Sequence, residues 1–116
     1  NGTDGYHKLG FLHGSMVCTD GVKWLAENAG CFWLIDIIAS YQPRCRKDAM
    51  LKHVQFWTFK RDGTKGRAVC ERDEGDEAFG QDVPFTDFPL DEIRLWVEAG
   101  ECGGKPVMVC MLPTER

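Results

Sequence analysis

The run Cys31-Phe32-Trp33-Leu34-Ile35-Asp36-Ile37-Ile38-Ala39-Ser40-Tyr41 constrains the fold more than any other stretch, because it is apolar almost throughout and holds a single carboxylate. Read as a helix, it is apolar nearly all round, which places it at the centre of a domain and not at its edge. Pro43, which cannot continue a helix interior, is expected to stop it. A first helix precedes it. Thr19 or Asp20 can cap free amide hydrogens, Val22, Leu25, Ala26 and Ala29 share one face, and Gly30 ends the pattern.

The period then changes. His53 to Arg61 and Arg67 to Arg72 are rich in aromatic and β-branched residues and flank Asp62-Gly63-Thr64-Lys65-Gly66, the mark of a β-hairpin. Farther on, Ile93, Leu95 and Val97 alternate with Arg94, Trp96 and Glu98, which suits a half-buried strand. Val107 to Leu112 is apolar on both faces, and residues 99–106 supply the turn of a second hairpin. Between the hairpins lie an acidic loop at 73–77 and the segment 83–90, whose Pro84 and Pro89 argue for an ordered crossover instead of a strand. The fold expected is α+β: two N-terminal helices packed on a four-stranded, mainly antiparallel sheet made of two hairpins.

A chain of 116 residues that is 43% hydrophobic, with four Trp and seven Phe, is too apolar and too aromatic for a disordered tail. One domain spanning 1–116 is expected. The longest apolar run is about 11 residues, short of the ~20 needed to cross a bilayer, so no membrane association is expected. No secretory pattern opens the sequence, and six cysteines lack both C-x-x-C and Cys/His zinc spacing. Cys31, Cys70 and Cys110 sit in apolar or strand-like runs, as small buried hydrophobes do. The expectation is reduced thiols, a cytoplasmic location, no metal and no cofactor.

The net charge of −4 argues against nucleic acid, whose phosphates must be neutralised by Lys and Arg. A nucleic-acid accessory role would need Arg44, Arg46, Lys47, Lys52, Lys60 and Arg61 to gather on one face. Five carboxylates fall in the seven residues Glu71 to Glu77 without the spacing of a calcium loop, as in a solvated loop tip.

For chemistry, Asp36 is the sharpest candidate acid or base, because a carboxylate on an apolar helix is a candidate for a raised pKa. The commoner fate of such a residue is structural: buried, and anchored by hydrogen bonds. His7, His13 and His53 offer further bases, and Cys18 or Cys45 a reactive thiolate. No phosphate loop, nucleophile elbow or dinucleotide fingerprint is present.

On the first strand Gln55, Trp57 and Phe59 share one face, and Val54, Phe56 and Thr58 the other. If the helices cover one face, the other must be covered by the Phe85–Phe88 crossover, by a second subunit or by a partner. This reasoning makes Trp57, Phe59, Phe85, Phe88 and Trp96 the candidate binding residues. It points to a non-enzymatic protein that binds a protein partner or itself as a homodimer, with a small enzyme built on Asp36 as the alternative.

Thr19 to Val22 with Trp24-Leu25-Ala26, Phe32 to Asp36, Ile38 to Gln42, Gln55-Phe56-Trp57, Phe85 to Leu90 and Met111-Leu112-Pro113 together resemble an uncharacterised bacterial family of unknown function. That family looks at home on phages, plasmids and other mobile elements. The resemblance implies a genomic setting and no activity, cofactor or site residue.

Overall fold

The computed structural model describes residues 6–8 and 16–115. His13 and residues 1–5 lie outside the described residues, and the side chain of His7 is likewise not described. Among the described residues seven strands form one mixed sheet: β1 (Tyr6–Lys8), β2 (Met16–Thr19), β3 (Val54–Asp62), β4 (Lys65–Glu71), β5 (Glu77–Val83), β6 (Glu92–Cys102) and β7 (Lys105–Met111). Their spatial order is β1-β2-β7-β6-β3-β4-β5. All pairs are antiparallel except β2 with β7, where Cys18 lies beside Cys110. Three helices follow β2: α1 (Asp20–Ala29), α2 (Phe32–Ser40) and the short α3 (Gln42–Cys45).

The α+β class and both expected hairpins are present, but the four-stranded sheet is corrected to seven strands. Strand β2 escaped because its four residues, all buried, run directly into a helix and show no alternation. Strand β5 escaped because Gly80 and the charges Glu77 and Asp82 dilute its pattern, and a bulge at Ala78 shifts its period. Pro43 does not simply stop a helix. It occupies the first turn of α3, where its missing N–H is no loss.

Helix α1 is capped as expected: the Thr19 hydroxyl accepts from the Val22 amide, and Gly30 closes the helix at φ 62°. A second clamp comes from the 3₁₀ turn Pro113–Glu115 after β7. One Glu115 oxygen accepts from the Thr19 hydroxyl at 2.6 Å and from the Leu112 amide at 3.0 Å, and the other accepts from the Gly21 amide at 3.1 Å. The carboxylate therefore sits at the positive end of α1. A Cβ on Gly21 would approach it to 2.7 Å, so a larger residue there would make the Glu115 carboxylate shift from its hydrogen bonds.

Helix α2 lies on the sheet instead of inside the domain. Leu34, Ile35 and Ile38 point into the core, while Phe32, Asp36 and Ser40, spaced by four, form an exposed stripe. The expectation of a central helix with a buried Asp36 is corrected: the apolar Phe32 conceals a solvent face in the sequence. The main core joins these helices to Trp57, Phe59, Ala68, Cys70, Leu95, Val97 and Cys110 on one sheet face. Trp33, Phe59 and Phe88 meet edge to face, with Trp33 5.1 Å and Phe88 5.6 Å from Phe59. Phe59 also fills the space left by Gly66, where a Cβ would overlap its ring.

One polar device lies inside this core. Gln42 and Gln55 are 3% and 0% exposed, and their amides bond reciprocally at 2.9 and 2.8 Å. Gln42 donates its second N–H to the Ile38 carbonyl, Gln55 donates its own to the Leu51 carbonyl, and the Trp57 indole donates to Gln55 Oε1 at 2.9 Å. All four amide hydrogens are used, so burial carries no unsatisfied donor. Gln55→Leu strands three partners and should lower stability by about 2–4 kcal/mol in urea denaturation. The Gln42→Leu/Gln55→Leu double variant should lose less than the sum of the single changes.

The Glu115 clamp gives a second expectation. Glu115→Ala should cost about 1–2 kcal/mol, as loss of a helix cap does. Gly21→Ala should destabilise the native chain and become neutral or stabilising once Glu115 is Ala, because the clash is gone and alanine favours helix; thermal melts of the four proteins check this.

Candidate functional site

The helices cover one sheet face, and Phe88 lies on that same side against Trp33 and Phe59. The crossover therefore does not cover the opposite face. Trp57, Phe59 and Phe88 are each at most 2% exposed, which removes them as binding residues and makes them core. Phe85, at 70% exposure, and the half-buried Trp96 are left, on different surfaces.

On the second face, Val17, Val109 and Met111 form a small buried cluster with Trp96 and Val107 packed against it. Beyond that cluster the face opens into a groove of about 530 Å³ over β6, β3 and β4. Its floor is set by register. Phe56 pairs across strands with both Trp96 and Glu71, and Thr58 pairs with both Arg94 and Val69. Phe56 and Trp96 meet edge to face at 5.2 Å.

The two ends of the groove differ in charge. At one end stand Glu71, Asp73, Glu74 and Glu77; at the other stand Lys60 and Arg94, which share Glu92 at 4.0 and 3.2 Å. Arg67 reaches Glu77 at 3.1 Å across Gly80, whose missing side chain leaves room for the guanidinium, and holds Asp82 at 2.8 Å. The acidic turn is ordered by its own bonds: Gly75, at φ 83°, donates to Glu71, and the Arg72 amide donates to the Asp76 carbonyl at 3.0 Å. Arg72 ties this end to the connector through Asp48 at 2.8 Å.

A second concavity, of about 400 Å³, lies between Trp33 and Ile37 of α2 and the stretch 81–87. Phe85 forms part of its wall. The crossover there is held by the Thr86 amide on the Thr64 carbonyl at 2.7 Å and by the Phe88 amide on the Thr86 hydroxyl at 3.1 Å.

The residues proposed for chemistry are dispersed. Asp36 is on the exposed stripe of α2, His53 is exposed just before β3, and Cys18 and Cys45 are buried. Burial pushes the thiols of Cys18 and Cys31 up to about 11, and these two sulfurs stay protonated near neutrality. The hydrogen bond that the Cys70 thiol donates to Cys45, together with burial, raises Cys70, and the same bond lowers Cys45, which is buried. Among the described residues no three His, Cys, Asp or Glu side chains gather into a metal site. Of the basic residues, Arg61 is bound to Asp91 at 2.7 Å and Lys60 to Glu92, while Arg44, Arg46, Lys47 and Lys52 are exposed along the connector and the turn before β3. No helix among the described residues is long and apolar enough to cross a membrane.

A family model matches residues 1–116. The chain belongs to DUF6876, a family of unknown function. No curated protein and no solved structure matches it. Membership in this family agrees with the resemblance seen in the sequence and adds no activity to it.

The connector's anchor has a pH signature. The Leu51 and Met50 amides, and then Arg72, hold the Asp48 carboxyl at about 2, below its ordinary value of 3.8. A carboxylate depressed in the folded state stabilises fully above its unfolded pKa and loses that contribution as pH falls through the folded value. Stability should therefore decline between about pH 4 and pH 2, and Asp48→Asn should flatten that part of the profile while lowering the plateau at pH 7; urea titrations across this range check it.

Proposed function

We propose that this DUF6876 chain is a non-enzymatic accessory protein of a mobile element, working in the cytoplasm by protein–protein binding through its open sheet face, with a second copy of itself as partner. The observation that carries the reading is the Phe56–Trp96 pair on the floor of a solvent-facing groove. Aromatic residues flanked by charge are the composition of an interface centre and rim.

The charge pattern favours self-association. Carboxylates crowd one end of the groove and Lys60 and Arg94 stand at the other. A two-fold rotation about an axis lying in the face and perpendicular to the groove sets each end of one copy against the opposite end of the next. The mobile-element setting rests on the sequence resemblance alone.

The test is the mass of the protein in solution against concentration and salt. Light scattering should show dimers at about 100 μM that dissociate on dilution and more readily in high salt. Trp96→Glu should abolish the dimer. Arg94→Glu, on the exposed rim, should weaken it without touching the core, and Glu74→Lys in the same chain should restore part of the loss. A chain that stays monomeric at every concentration overturns the self-pairing, as does a dimer indifferent to all three changes.

A further inference from the structure

The cleft between α2 and the crossover is independent of the open face, on the helix side of the sheet. One wall is Trp33 and Ile37, a pair spaced by four on the helix. Trp33 is half-buried and pinned from behind by Phe59 and Phe88, so that wall is rigid. The other wall is Val83, Pro84 and Phe85, on backbone fixed by the buried Thr86. An exposed aromatic on such an anchored segment is not the product of a floppy loop. At about 400 Å³ the space takes one or two large side chains.

The rim supplies charge. Asp82 and Asp87 both border the cleft. Asp82 is engaged by Arg67, whereas among the described residues no cation pairs with Asp87. Apolar walls bearing two aromatic rings, with an uncompensated carboxylate at the mouth, suit a ligand having an apolar body next to a positive charge. We propose that this cleft docks a peptide segment of a partner protein in which a large apolar side chain is followed by Lys or Arg. The apolar side chain lies between Trp33 and Phe85, and the cation reaches Asp87.

The test uses the full chain, labelled with nitrogen-15, and three blocked dipeptides: acetyl-Leu-Arg-amide, acetyl-Leu-Glu-amide and acetyl-Ala-Arg-amide. The first should produce saturable amide shifts confined to Ile37, Val83 and Thr86 and their neighbours, in the weak range expected of so small a ligand. The other two should bind several-fold less tightly. Asp87→Asn should weaken the first by about threefold to fivefold, the scale of a partly exposed ion pair, and the loss should shrink in high salt. Phe85→Ala should abolish the shifts, and because Phe85 is exposed the rest of the spectrum should stay unchanged. Equal response to all three dipeptides, shifts centred elsewhere, or none at all overturns the proposal.

Discussion

The two-glutamine amide pair fixes the relation between the helical layer and the sheet. Gln42 opens α3 and bonds back to the end of α2 through Ile38, while Gln55 lies on β3 and bonds back to Leu51 in the connector. The pair thereby closes a loop of 13 residues and sets which face of β3 meets the helices. Slipping β3 by one residue would put Phe56 in place of Gln55, breaking the three hydrogen bonds that join Gln55 to Gln42 and Leu51 and inverting the faces of the strand. The same slip would put Thr58 where Trp57 packs and Lys60 where Phe59 packs. The buried amides make the alternative register expensive.

From that register follow both surfaces. With Trp57 and Phe59 turned to the helices, Phe56 and Trp96 must face the other way, and their ring contact becomes the floor of the groove. Because Phe59 then leans over Gly66 and meets Phe88 edge to face, the crossover is drawn to the helix side and leaves Phe85 outside. The bulge at Ala78 and the absent side chain at Gly80 let Arg67 join Glu77 and Asp82 along the edge strand. An edge carrying charged side chains and a bulge resists uncontrolled pairing with other strands.

Much of this was legible in the residues. The Thr19 cap, the Gly30 stop, both hairpins and the division of β3 into two faces follow from local rules that tertiary contacts did not override. What escaped depended on distance. Strand β2 is short and gains definition from β7, some ninety residues away, β1 in turn pairs with β2, and no local period announces either. Asp36 read as buried because Phe32, on the same stripe, is an apolar residue left in solvent. Of the five aromatic candidates, three went to the core, since alternation says which residues share a face but not which face is covered. Gln42 and Gln55 were invisible as a pair because nothing in a sequence distinguishes a glutamine that will find its complement from one that will meet water.

The Glu115 clamp bears on the order in which the chain can assemble. Its ligands Thr19 and Gly21 are made 96 and 94 residues before it. Strand β2 waits equally long for β7. During synthesis, then, the first helix leaves the ribosome capped by Thr19 alone and its neighbouring strand unpaired on that side; the strand is completed only when β7 has emerged and the helix end only when residue 115 has. Contacts of such long sequence separation slow folding. Until then the nascent segment exposes Met16, Val17 and Cys18, a stretch that chaperones are suited to shield, so closure waits on segments made some ninety residues later.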